Sequence, residues 1–261
     1  MNIGISTASF YPLETELALE KIGKSGVKTT EIFINAESEL KPSFIDILEN
    51  IKDEYKMNIA AIHPTMSLAE SFMIFSEYER RFQEALQKFA RYSEVAAELG
   101  AKYIILHGGK PNGLTTDEEY CERFMRLNHE TRKNGIIILQ ENVVNYRSGD
   151  IEFLRSINQI LGKDAQFCFD IKQAIRCGYN PIDLIDEFWD NIKHFHISDH
   201  SLAGDCLLPF NGKFDFRFFI STLKKRNYEG SCIIEVYKNA YKNYQEIFDS
   251  HKKIIALEKK Y

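Results

Sequence analysis

Eight short apolar runs recur along this sequence, each followed by a longer amphipathic stretch. They are Ile3–Ser6, Thr30–Ile34, Ile59–His63, Lys102–His107, Ile136–Glu141, Gln166–Asp170, Lys193–Ser198 and Ser231–Val236. They are rich in Ile, Phe, Val and Tyr and too short for buried helices, so they read as strands covered on both faces. The stretches between them carry helical spacing. Phe44, Leu48, Ile51 and Tyr55 share one helical face behind Pro42, whose missing N–H is harmless in a first turn. Phe82, Leu86, Phe89, Ala90, Ser93 and Ala97 stripe a longer helix that stops at Gly100. Asn180-Pro181 opens another with a capping side chain, and Tyr244, Ile247, Phe248 and Ile255 line the last.

Alternating strand and helix imply parallel strands joined by right-handed crossovers. Eight such units with no ninth predict one (β/α)8 TIM barrel spanning residues 1–261. The length of 261 residues alone would also allow two small domains, but barrels of about 250 residues are ordinary. A doubly wound open sheet is the competing arrangement, yet neither GxGxxG nor GxxxxGK[ST] follows any run.

Charge and cysteine usage narrow the function classes. With 33 basic and 38 acidic side chains the net charge is −5, which argues against a phosphate-backbone partner because such proteins usually carry a basic surplus. No apolar run approaches the roughly 18 residues of a membrane span, so no membrane partner is expected. Met1-Asn2-Ile3-Gly4-Ile5 is not a basic segment leading into an apolar one, so no secretory signal is visible. The five cysteines (121, 168, 177, 206 and 232) are odd in number with no CxxC pair. They read as reduced, mostly buried thiols, and a cytoplasmic location is expected.

In a barrel the chemistry sits at the C-terminal ends of the strands. Runs three to eight end in or carry His63, His107, Glu141-Asn142, Asp170, His196 and Glu235. Any one of these alone reads as a loop ion pair, a helix cap or a hydrogen-bonded structural histidine. Together they would converge, and three carboxylates buried side by side are costly unless a cation compensates them. Glu141, Asp170 and Glu235 offer oxygen and His196 nitrogen. This mixed set suits Mn, Fe, Co, Mg or Zn in an open site better than a thiolate cage. His63 and His107 would supplement that site or make a second one. His194 shares a strand face with His196 and reads as a satisfied core residue. Asp199 and His200 could orient His196. His129, His251 and Trp189 read as helical surface or packing residues, and Cys168 as core filling.

These pieces carry a family likeness. Gly4-Ile5-Ser6, His107-Gly108-Gly109, Glu141-Asn142, Phe169-Asp170, His196-Ile197-Ser198-Asp199, Pro209 to Asp215, and Ile234-Glu235 stand in an order covering nearly the whole chain. In this the sequence resembles the xylose isomerase-like barrels: the sugar phosphate isomerases and epimerases, with endonuclease IV. The resemblance to D-tagatose 3-epimerase-like members implies one manganese-type ion held by Glu141, Asp170, His196 and Glu235, the two glutamates also exchanging the substrate proton. Endonuclease IV-like members use the same four with His63 and His107. They also need two further histidines, where this chain has Gln173 and Leu207. Gln173 departs as well from epimerases with a substrate-contacting histidine there. It cannot titrate but can hydrogen-bond a hydroxyl.

The implied activity is a divalent-metal-dependent isomerase or epimerase acting on a sugar or sugar phosphate. Glu141 and Glu235 would be the proton-transfer pair working through an enediolate. An abasic-site DNA endonuclease is the alternative, and a sugar- or inositol-type dehydratase a further one. Asn142, Gln173, His63 and His107 are additional metal- or substrate-binding candidates. Lys172 is either solvent-exposed or a substrate contact, and Lys110, Arg176 and Lys213 are candidate anion contacts. The sequence leaves the sugar and the oligomeric state open.

Overall fold

A computed structural model of the chain describes residues 1–65, 68–113, 115–202 and 204–261. The runs become strands β1 (Asn2–Ser6), β2 (Thr29–Ile34), β3 (Asn58–Pro64), β4 (Tyr103–Leu106), β5 (Ile137–Glu141), β6 (Phe167–Asp170) and β7 (Ile192–Ile197). A hairpin of β8 (Asp199–Ser201) and β9 (Gly204–Leu207) follows, and then β10 (Ser231–Ile234). β1 to β7 and β10 pair in parallel and close on themselves, β10 lying between β7 and β1 with Asn2 opposite Ser231 and Ile5 opposite Ile234. This is the (β/α)8 barrel expected from the eight runs. The antiparallel β8–β9 hairpin is an addition the sequence did not announce, because its short polar strands carry no apolar alternation.

The helices are α1 (Thr15–Lys24), α2 (Pro42–Tyr55), α3 (Leu68–Phe75), α4 (Glu79–Glu98), α5 (Asp117–Arg132), α6 (Ile151–Leu161), α7 (Ile171–Arg176), α8 (Pro181–Glu187), α9 (Phe216–Lys225) and α10 (Tyr244–Glu258). Two connections hold two helices where one was expected. α3 precedes α4 after β3. After β6, α7 ends ahead of Gly178, which takes a left-handed φ of 82°, and Asn180 caps α8 by accepting from the Ile182 N–H. None of the described helices is long and apolar enough to cross a membrane.

The main core lies between the helices and the outer faces of the strands, where Leu19, Ile22, Leu48, Phe82, Phe219, Ile220 and Ile254 are all buried. A smaller core fills the barrel itself: Ala61, Ile105, Leu139 and Cys168 form one fully buried layer from four adjacent strands. Side chains two residues apart on a strand share a face. The next layer toward the mouth is therefore His63, His107, Glu141 and Asp170, and on the remaining side His196 and Glu235 stand two residues after His194 and Ile233. The apolar layer is the floor on which the polar one rests. At the mouth Gly108 turns the chain out of β4 with a φ of 90°. A Cβ there would strike the Tyr120 hydroxyl, so only glycine fits.

Candidate active site

The polar layer converges. Ligating atoms of Glu141, Asp170, His196 and Glu235 all lie within 4.8 Å of one another. His196 Nδ1 is the hub, 3.0 Å from Glu141 Oε1, 3.3 Å from Glu235 Oε2 and 3.8 Å from Asp170 Oδ2. The first three residues are fully enclosed; the Glu235 side chain retains 12% exposure and faces the opening.

Local structure explains why each carboxylate points inward. Glu141 ends β5, while its neighbour Gln140 points the other way. Gln140 accepts from the Tyr120 hydroxyl at 2.5 Å and donates to the carbonyls of Leu106 and His107. Asp170 ends β6 and caps α7, its Oδ1 accepting from the Gln173 N–H at 3.0 Å. The cap reading and the site reading thus hold for one residue, the two oxygens dividing the work. Asn142 clamps the same strand end, donating to the Asp170 carbonyl at 3.0 Å and accepting from its N–H at 2.7 Å. Gln173 is buried and accepts from the Val144 N–H at 3.2 Å. These contacts brace the β5 and β6 ends.

A second group adjoins the first. His63 Nε2 lies 3.0 Å from His107 Nε2, which lies 3.0 Å from Glu141 Oε2. His63, His107 and Glu141 are a second set that could hold an ion.

Two residues that the sequence does not mark as part of the cluster complete it. Glu31, in the middle of β2, is wholly buried, with Oε2 at 3.1 Å from His196 Nε2 and 3.0 Å from His194 Nε2, and Oε1 at 3.7 Å from His63 Nδ1. Its one signal in the sequence is a charge inside the apolar run Thr30–Ile34. Lys172 is buried, not solvent-exposed; its ammonium lies 3.2 Å from Asp170 Oδ2, 3.3 Å from Glu235 Oε2 and over the Tyr237 ring.

The electrostatics follow from these neighbours. Burial opposes charge on Glu31 and Glu141, but His196 and the surrounding histidines hold both carboxyls well below the usual range. Burial likewise opposes charge on Glu235, and Lys172 with His196 lowers it. Asp170 goes the other way: burial, opposed by Lys172 and aided by Glu141 and Glu235, raises it to about 6. Burial works against protonation of His196 and Lys172, yet the carboxylates raise both well above their ordinary values.

Other expectations need correction. Asp199 does not orient His196; Oδ1 accepts from the N–H groups of His200 and Phe214 and Oδ2 from that of Gly212, fixing the turn after β9. His194 is buried as expected, with Nε2 3.0 Å from Glu31 Oε2. Arg176 is occupied by Asp205 at 2.6 and 3.1 Å and by the Tyr237 hydroxyl, and Lys213 is exposed. His129 is exposed, His251 meets the Ile3 carbonyl, and Trp189 packs near Tyr228 from a 3-10 turn. Leu207 lies in the hairpin.

The donor set fits a divalent cation. Glu141 Oε2 and Asp170 Oδ2 are buried without a hydrogen bond of acceptable geometry, although His107 Nε2 and Lys172 Nζ come within 3.0 and 3.2 Å. Carboxylates crowded together in such a place are expensive, and a cation bound by their oxygens and one imidazole would offset their mutual repulsion.

A model of the xylose isomerase-like TIM barrel family matches residues 19–254, and the chain belongs to that family. Among solved structures it is similar to a D-tagatose 3-epimerase-like protein, with a TM-score of 0.81, 23% identity, and coverage of 100% of this chain and 99% of the other. Among curated proteins, the fructoselysine 3-epimerase of Escherichia coli O157:H7 is 22% identical over 250 residues, covering 90% of each chain. The inosose dehydratase of Clostridium beijerinckii is 23% identical over 256 residues, covering 84% of this chain and 81% of its own.

Proposed function

We propose that the protein is a divalent-metal-dependent sugar isomerase or epimerase that moves a proton next to a carbonyl. One observation carries this reading: Glu141 and Glu235, from barrel strands separated by β6 and β7, meet at the same nitrogen of His196, and both are held ionised. Two ionised carboxylates approaching one point from different sides can address both faces of a substrate carbon. The epimerase relatives support the same class.

Glu141, Asp170, His196 and Glu235 would hold the ion, manganese being the first expectation. When bound, it supplies polarisation of a substrate carbonyl. The remaining work falls to the chain. One of Glu141 and Glu235 takes the proton from the carbon beside the carbonyl, leaving its electron pair in an enediolate. For epimerisation the other carboxylate passes a proton taken from water to the opposite face while the first releases its proton to water. For isomerisation the first delivers the proton it took to the neighbouring carbon, with a proton moving between the two enediolate oxygens. Lys172 offsets the accumulated negative charge at Glu235 and Asp170. Glu31 holds His196 by Nε2, which turns Nδ1 toward the mouth. The enclosed floor keeps water from the lower side.

Dehydration is a second reading, because the same proton abstraction can expel a hydroxyl. His107, only partly buried beside Glu141, is placed to protonate such a leaving group. Ketoses and ketose phosphates incubated with the manganese-loaded protein in deuterated water decide between these by NMR. Deuterium incorporation with an inverted or moved carbonyl centre is expected. Loss of water assigns the second reading. Turnover without exchange rules out proton transfer to solvent-exchanging carboxyls.

A further inference from the structure

Beside the barrel mouth lies a cavity of about 990 Å³, walled by α3, the start of α4 and the turn after β4. The residues that matter there are Phe72, Phe75, Glu77, Tyr78, Arg81 and Lys110. Its volume stands at the upper end of the roughly 300–1,000 Å³ of small-molecule sites, far more than a free monosaccharide fills.

The cavity is joined to the carboxylate cluster through contacts. Lys110 Nζ sits 3.3 Å from the centre of the Tyr146 ring, that ring is 5.2 Å from the His107 ring, and His107 Nε2 is 3.0 Å from Glu141 Oε2. The inner wall is rigid: Phe75 stacks on Tyr120 at 4.0 Å, and Tyr120 donates to Gln140, next to Glu141. The outer wall is aromatic and open. Phe72 is 55% and Tyr78 54% exposed, with the Arg81 guanidinium over both rings at 4.7 and 5.2 Å. Surface stacking alone would account for that trio on a convex face, but here it lines a concavity whose wall residue Lys110 is linked through Tyr146 and His107 to the cluster.

Charge adds the second element. Among the described residues, neither Arg81 nor Lys110 forms an ion pair with a carboxylate. Glu77 is the single acidic residue in the lining, so positive charge is in excess. Aromatic rings edged by cations that lack a carboxylate partner favour a flat, apolar group that ends in an anion.

We propose that this cavity is a second substrate subsite, and that the substrate is a sugar bearing a ring-sized apolar substituent with an anionic group. The ring rests on Phe72 and Tyr78, and the anion faces Lys110 and Arg81. This rests on the sugar-enzyme reading above and deepens it.

The test is calorimetric titration of the manganese-loaded protein with D-fructose and with its phenyl, 4-carboxyphenyl and 4-phosphonooxyphenyl ethers at C1 or at C6. At one of the two ends, the phenyl ether should bind about tenfold tighter than D-fructose. An anionic ring should gain about tenfold more, the better of the two anions identifying its chemistry. Phe72→Ala should abolish the first gain. Arg81→Gln with Lys110→Met should abolish the second while keeping the first, and D-fructose affinity should not change in either. Ethers that bind no tighter than D-fructose at both ends, or gains that survive in the variants, overturn the subsite. Solvent-deuterium exchange into D-fructose and the ethers, measured on the same samples, separates the two ideas. Exchange without any affinity gain removes only the subsite, whereas an affinity gain without exchange removes the proton-transfer reading.

Discussion

The carboxylate cluster and the aromatic cavity lie side by side at one end of the barrel and are built on opposite principles. The cluster is made from strand ends, buried except where Glu235 and His107 meet the opening, and crowded with charges that need one another. The cavity is made from connections and helix starts, half open, and its cations lack acidic partners among the described residues. Strand ends are fixed by the hydrogen-bonded barrel, so they suit groups that must be placed to within tenths of an ångström. Connections vary without disturbing the barrel, so they suit recognition. A perturbation in the first region should therefore damage chemistry or ion binding, and one in the second should change which molecule is chosen.

The largest expected effect tests that division at its centre. Glu141→Gln and Glu235→Gln should each lower kcat by about 10²–10⁴-fold on whatever sugar the enzyme turns over. Wild-type turnover in either variant removes that residue from proton transfer. Removing the ion by chelation should abolish activity, and manganese should restore it.

Next comes pH. An ion must displace the proton on His196, whose carboxylate neighbours overcome burial to keep it protonated well above its ordinary value. Below the Asp170 value of about 6, raised by burial, it must displace a second proton. Manganese affinity should thus fall as pH falls, by about tenfold per unit above pH 6 and more steeply below it. Calorimetry from pH 8 to 5 checks this, and a flat profile would break the assignment of these two residues as ligands.

Glu31→Gln should weaken manganese binding about 10–100-fold, as loss of a partner that orients a ligating histidine does. Unchanged affinity would make Glu31 a mere filler of the barrel. The smallest effect belongs to the cavity: Phe72→Ala should leave turnover of an unsubstituted ketose within about twofold. A large loss on a small sugar would erase the distinction between the two regions.

Much of this architecture is legible in the amino-acid sequence. The runs are short, β-branched and evenly interrupted, and two-residue strand periodicity places Glu141, Asp170, His196 and Glu235 one layer above an apolar floor. The features that are not legible have physical reasons. Glu31 stands inside a strand, where a lone charge gives no sign of which way it faces. Lys172 follows Asp170 into a short helix, and only the rotation of that helix decides that its ammonium is buried between two carboxylates. The division of two connections into paired helices, and the β8–β9 hairpin, depend on local breaks and polar pairing that leave no periodic signature. Asp199 misleads because proximity to His196 along the chain does not mean contact; its carboxylate is consumed by the turn at Gly212 and Phe214.

Asp170 holds the first turn of α7 with one oxygen and faces His196 with the other. Its carboxylate plane is consequently locked by the scaffold, and the cluster inherits that fixed orientation even when nothing is bound. It also makes the position hard to redesign. Asparagine could keep the cap while discarding the charge, and alanine would discard both. Lengthening to glutamate would move the charge outward and unfasten the helix. Any attempt to retune the proposed ion site would therefore run through the other three residues.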